Sequence, residues 1–200
     1  MTTPFFEAVQ HRRSIYGISK EEVTSQQRIV ELVEAAVKHT PSAFNSQSAR
    51  MVILFGEHHD KLWDLTKEEL RKRVNDSEKF KSTEEKMSSF RAGTGTVLFY
   101  EDTAVIQSLQ EKFASYADKF PDWSHHSSGM HQYVIWTGLE EEGLGASLQH
   151  YNPIIDDAVR EEWKLPATWK LIAQMPFGKP TAPPGEKQFQ PLEARIKVFK

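Results

Sequence analysis

The sequence contains no cysteine. That absence excludes disulfides, thiolate-bound zinc, iron–sulfur ligation and cysteine nucleophiles together, and it fits a reducing compartment. No apolar run approaches the roughly 20 residues of a membrane-spanning helix, and the start, Met1-Thr2-Thr3-Pro4, lacks a basic stretch followed by an apolar one. The expectation is a soluble, cytoplasmic chain with no membrane partner. Charge of one sign is also missing: 25 basic residues stand against 28 acidic ones, a formal net charge of −3 with no block at either end. Nucleic acid is not expected as a partner. Gly93-Thr94-Gly95 and Gly143-Leu144-Gly145 both lack the third glycine of a dinucleotide fingerprint, and no Walker-type loop occurs. A nucleotide-like cofactor would have to be held by scattered side chains.

Apolar residues are sparse as well, 38% of the chain, which is lean for a soluble domain even with the glycines added. A chain of 200 residues and 23.0 kDa can bury about 70% of its unfolded surface in one core. The core is therefore lean or shared, and a partner subunit could complete it.

Periodicity supplies the elements. Thr3 as N-cap with Pro4 at N1 opens a helix running towards His11. Thr24 and Gln27 have capping-box spacing ahead of Ile29, Leu32, Val33, Ala36 and Val37, a helical stripe that should stop before Pro41. Met51 to Phe55 reads as a central strand, and the charged stretch Glu57 to Arg91 reads as solvent-facing helices. Thr96 to Tyr100 is a second strand candidate, followed by helical spacing from Val105 to Tyr116. Met130 to Leu139 is apolar around most of its circumference, predicting a helix buried on several sides at the centre of the molecule. Gly143 fits the C′ stop of that helix, and Asn152-Pro153 the start of a short one. Trp169 to Phe177 is a third strand candidate; the tail Ile196 to Phe199 is β-prone and detached by a proline-rich loop. The sum is one α+β domain over residues 1–200, a small central mixed or antiparallel sheet flanked by helices, whose tail is placed for exchange with a second subunit.

Several tempting motifs have plainer readings. His58-His59-Asp60, His125-His126 and His131 lack the four-residue helical spacing of a zinc pair, so no metal site is expected. Ser127 and Ser128 beside those histidines lack a strand-to-helix elbow for serine hydrolysis. Three polar clusters carry more. Arg12-Arg13-Ser14 follows the first helix, where two guanidinia and a hydroxyl can clamp a phosphate. Pro41-Ser42-Ala43-Phe44-Asn45-Ser46-Gln47 offers amides and hydroxyls to the polar edge of a heterocycle, or is an ordinary capped loop. Gly143 to Pro153 combines small residues, which admit a flat ring, with the main-chain N–H groups of Gln149 and His150; the alternative is a helix–helix connection.

In this order the three clusters resemble the flavin-dependent nitroreductase family over nearly the whole chain. Within it the chain is similar to the short bacterial and fungal branch related to the fatty-acid-repression-mutant proteins, on Gly95-Thr96-Val97-Leu98-Phe99-Tyr100-Glu101-Asp102 and Leu148-Gln149-His150-Tyr151-Asn152-Pro153. The resemblance implies an intertwined homodimer, its C-terminal strand exchanged, with two FMN sites at the interface. By that likeness Arg12, Arg13 and Ser14 hold FMN, while Ser42, Ala43, Phe44 and Asn45 reach in from the other subunit with Gln47. Leu148, Gln149 and His150 lie along the flavin, and Lys187 meets the phosphate. Phe189 stands where the family often has a second basic residue, with Arg91 as a possible substitute. The implied activity is NADH- or NADPH-driven reduction of nitroaromatic or quinone-like acceptors by ping-pong hydride transfer, with no catalytic side chain, since the flavin carries the chemistry. The alternative is a dimeric flavin-binding regulatory or storage protein in lipid or stress signalling, with little turnover.

Overall fold

The computed structural model describes residues 3–74 and 76–200. In chain order the elements are α1 (Pro4–His11), β1 (Ile18–Ser19), α2 (Gln26–His39), β2 (Ala49–Phe55), α3 (Gly56–Arg71), α4 (Ser77–Arg91), β3 (Gly95–Asp102), α5 (Thr103–Lys112), α6 (Phe120–Glu141), β4 (Gly145–Ala146), α7 (Asp156–Glu162) and β5 (Trp169–Pro180). β3 is apolar on both faces and buried from Gly95 to Glu101, so it takes the interior of the sheet. It pairs antiparallel with β2 on one side and β5 on the other. The far edge of β5 takes β1 and β4, giving a five-stranded antiparallel sheet in the order β1-β5-β3-β2, with β4 beside β5. The strand expected at Met51 to Phe55 is therefore present within β2 but lies at the edge of this chain's sheet.

Strand alternation divides the core in two. Val97, Phe99, Ala173, Met175 and Phe177 face Ile29, Val33 and Ala36 of α2 and Ile135 and Leu139 of α6. Leu98, Tyr100 and Leu171 face Leu62 and Trp63 of α3, Met87 and Phe90 of α4 and Val159 of α7. Gly138 brings α2 and α6 together, since a Cβ there would stand 2.9 Å from the Leu32 side chain. The charged helices α3 and α4 thus bury a full apolar face, including Trp63, Met87 and Phe90.

Local chemistry moved several boundaries. The cap of α2 is Ser25, whose Oγ accepts the Arg28 N–H at 3.1 Å; Thr24 lies one residue outside. Asn152-Pro153 is a cis peptide in a turn and not a helix start: Tyr151 donates its N–H to Gln174 Oε1, Ile154 bonds back to Tyr151, and α7 begins only after Ile155. β5 runs past Phe177 because the Pro176 carbonyl still accepts an N–H from Ser147 and the missing Gly178 side chain makes room for the Ser19 carbonyl. Gly143, at φ +82°, ends α6 as expected.

One larger expectation needs correction. α6 is buried on one side only: Ile135 and Leu139 are in the core, whereas Met130, Tyr133 and Val134 are 40%, 38% and 45% exposed because no element among the described residues covers them. The tail is detached from the sheet, as expected. Beyond the turn at Leu192–Ala194 it lies open, with Phe199 94% exposed, and among the described residues no strand pairs with it.

Candidate functional site

The first cluster is built by the way α1 ends. Arg12 caps the helix with its N–H on the Ala8 carbonyl, and the next N–H, from Arg13, is taken by Glu140 of α6, at 2.8 and 2.9 Å from its two carboxylate oxygens. Two residues on, Ile15 donates to the Ala146 carbonyl at 2.9 Å, and Ser14 forms a parallel bridge with Ala146. That approach depends on Gly145, where a Cβ would stand 2.7 Å from the Ile15 side chain. The glycine turn of the third cluster therefore serves the first one.

Across from Arg12–Gly17 runs the proline-rich segment Ala182–Lys187, and the two enclose a cavity of about 530 Å³. Arg13 Nη2 donates to the Gly185 carbonyl at 2.5 Å, which ties the two walls together. The Arg12 guanidinium lies 4.4 Å over the Trp136 ring and 5.7 Å from that of Tyr133, while its Nε is buried without a hydrogen-bond partner. Lys187 completes the rim, its ammonium 5.3 Å over the Phe189 ring. Three cations from opposite ends of the sequence thus share one basin. Such a donor set, with one buried N–H still unmatched, suits a phosphorylated ligand.

The other expected contacts fall differently. Ser42–Gln47, expected to reach into a partner's site, do not line their own chain's basin. Ser42 Oγ accepts the Gln47 N–H at 3.0 Å and closes the loop on itself, with Phe44, Asn45 and Gln47 all in left-handed backbone conformations at φ 56°, 51° and 49°. The loop presents Phe44 outward, stacked on Trp123 at 5.9 Å and against Phe113, Tyr116 and Phe120. A shallow hollow of about 310 Å³ lies between Ala43, Phe44, Trp123 and Met130. In the third cluster Gln149 is buried and exchanges main-chain hydrogen bonds with Gln174 at 2.7 and 2.9 Å, so its N–H is not available to a ring. An antiparallel bridge turns the flanking N–H groups, of Leu148 and His150, the other way. Arg91 is held by Asp60 and Asp64 of α3 and does not line the basin.

Two acidic residues were not singled out from the sequence. Glu140 is half-buried, and burial pushes its carboxyl above the ordinary range against the pull of the Arg13 N–H. In sequence it is one of three consecutive glutamates at a helix end, which reads as a solvated terminus. Glu101 is 1% exposed, and burial pushes it up to about 7. Its alternation partner positions in β3 are apolar, and nothing in that pattern signals a carboxylate inside. The histidines are structural or exposed: both ring nitrogens of His59 are engaged, by Thr96 Oγ1 and the Arg91 carbonyl, and His131 bonds the Ser127 carbonyl. Among the described residues no helix is long and apolar enough to cross a membrane.

The antiparallel sheet flanked by helices has the fold of the nitroreductase-like class of oxidoreductases. The family model described as "Nitroreductase family" matches residues 9–179, and the chain belongs to that family. The nitroreductase FRM2 of Saccharomyces cerevisiae is 35% identical over 190 residues, covering 94% of each protein, in keeping with the fungal branch. Nitroreductase CinD of Lactococcus lactis is 44% identical, with a TM-score of 0.90 over 98% of this chain and 100% of its own; it has been solved with chloramphenicol and with 4-nitrophenol. A Desulfovibrio desulfuricans protein solved with FMN shares the fold at 20% identity, with a TM-score of 0.70 and full coverage of both chains.

Proposed function

We propose that this protein is an FMN-dependent NAD(P)H oxidoreductase that reduces nitroaromatic or quinone-like acceptors. The observation that carries the reading is the basin itself. Arg12, Arg13 and Lys187 converge there, and the buried Arg12 Nε lacks an acceptor that a phosphorylated flavin can provide. When bound, FMN would take hydride from NADH or NADPH and deliver it to the acceptor in ping-pong alternation.

The chain's own residues have holding and shaping roles. Arg13, Ser14 and Lys187 grip the phosphate end, and Arg12, pinned on Trp136, keeps positive charge beside the flavin, where it favours the reduced form. Leu148 and His150 supply outward-turned N–H groups along the ring. The bound phenyl rings of chloramphenicol and 4-nitrophenol in CinD support a flat aromatic acceptor. Phe44 and its ring cluster give such an acceptor an apolar wall.

We place the flavin at a homodimer interface in the cytoplasm. Ser42–Gln47 lie away from their own chain's basin and are free to complete a partner's. Between α2 and α6 runs an apolar groove of about 1010 Å³ lined by Leu32, Ala35, Met130, Tyr133 and Val134. Phe5, Phe6 and the tail are exposed as well, and a second copy would cover them. The absence of cysteine suits a reducing compartment.

Purified protein should be yellow with a flavin spectrum, and NADH or NADPH should bleach it in the absence of oxygen. Reoxidation by a panel of nitro compounds and quinones then identifies the acceptor class. Colourless protein that takes up no FMN would overturn the reading.

A further inference from the structure

Glu140 belongs to none of the clusters that carry the family resemblance, yet it makes the contact on which the first of them turns. The chain leaves α1 between Arg12 and Ile15 and is pinned at both ends of that corner. At one end the Arg13 N–H is shared between the two oxygens of Glu140; at the other the Ile15 N–H is held by the Ala146 carbonyl at 2.9 Å. Between the pins stand Arg13 and Ser14, both on the basin. Glu140 also lies one helical turn after Trp136, the ring under the Arg12 guanidinium. Consecutive turns of α6 therefore grip consecutive residues of the corner, Trp136 the Arg12 side chain and Glu140 the Arg13 main chain.

Charge supports the same role. Arg12 and Arg13 are adjacent cations, and their mutual repulsion would splay the corner if nothing offset it. The charges of both arginines favour the ionised Glu140 carboxyl, which is fixed on the Arg13 N–H. It is not among the residues lining the basin, so it offsets the repulsion without presenting negative charge to an incoming phosphate. A donor set held in place before the ligand arrives loses less freedom on binding.

We propose that Glu140 is the positioning residue of the anion basin, holding Arg13 and Ser14 in register with Lys187 so that the site selects the phosphorylated form of its ligand. The inference rests on the flavin reading above. Its test is the flavin retained on dilution of protein loaded with FMN or with riboflavin, followed by flavin fluorescence, in wild type, Glu140→Ala and Glu140→Gln.

Glu140→Ala should weaken FMN retention at least tenfold and riboflavin retention less than threefold, because only FMN uses the phosphate donors. Glu140→Gln keeps an oxygen for the Arg13 N–H and should recover at least a third of the lost FMN affinity. It also serves if the alanine variant does not fold. Equal losses for both flavins, an alanine variant within twofold of wild type, or a glutamine variant no better than alanine would overturn the proposal. Wild-type protein that retains no FMN would instead overturn the flavin reading on which it rests.

Discussion

Ser48 Oγ donates a 2.5 Å hydrogen bond to Glu101 Oε2 in the interior, while the other oxygen of the same carboxylate is buried without a partner. The bond ties the end of the Ser42–Gln47 loop to the central strand β3, beside the Arg50–Asp102 ion pair at 3.0 Å. One half-satisfied carboxyl therefore anchors the Ser42–Gln47 loop.

The same carboxyl should make stability depend on pH. Burial raises it from 4.5 to about 7 in the folded state. Below pH 4.5 it is protonated in both states; as pH rises, the unfolded chain releases its proton first, so stability falls until about pH 7. The loss is about 3 kcal/mol at most. Glu101→Gln removes this slope and keeps an acceptor for Ser48. Urea unfolding should show the variant gaining on wild type between pH 5 and pH 8; a constant gap would refute the assignment.

His59 should act in the opposite direction. With Nε2–H on the Arg91 carbonyl, its Nδ1 accepts from the Thr96 hydroxyl at 2.9 Å, the Thr96 oxygen in turn accepts the Trp63 indole N–H at 3.0 Å, and burial lowers its pKa to about 4. As pH falls below 6.5 the unfolded state takes the proton first, so stability is lost between 6.5 and about 4, by about 3 kcal/mol. His59→Asn should cost about 1–3 kcal/mol at pH 7 and should flatten this acid limb in thermal melts. An acid limb as steep as that of wild type would exclude His59 as its source.

Lys187 faces the basin beside Arg13, and a charge-assisted bond to phosphate there is worth about 1.5 kcal/mol, roughly tenfold in affinity. Lys187→Ala should weaken FMN retention by that factor and leave riboflavin retention unchanged. Raising the salt concentration should narrow the difference between wild type and variant. An effect of equal size on both flavins would move Lys187 away from the phosphate.

The exposed stripe of α6 leads to an assembly prediction. Val134→Glu places a charge in the apolar groove, and light scattering should then show monomers with reduced flavin. Deleting residues 196–200 should loosen the dimer and lower FMN retention. A truncated protein with an unchanged dimer and full flavin would refute the exchange of the tail.

Much of the fold was legible from local pattern. The Thr3-Pro4 helix start, the stripe of α2 and the Gly143 stop each depend on residues within a few positions of one another, and all three stand in the structure. The apolar runs at Met51 and Thr96 also became strands, the second in the sheet interior and the first at the edge of this chain's sheet. Gln149 is the instructive failure. Its N–H looked available because a sequence does not reveal that Gln174, on a strand 25 positions later, takes it.

By itself the sequence determined the α+β class, the order of the three clusters and the exclusion of cysteine and dinucleotide-fingerprint chemistry, because each of these is a matter of residue type and near spacing. Tertiary structure alone decided that Arg13 meets Glu140, 127 positions away, that Lys187 closes the basin from the far end of the chain, and that α6 turns Met130, Tyr133 and Val134 outward. Periodicity reports that a helix has an apolar face but not what will cover it. Which faces and which distant groups meet is fixed only when long loops close around one sheet, and there the protein leaves an apolar stripe open and gathers its cations at one corner.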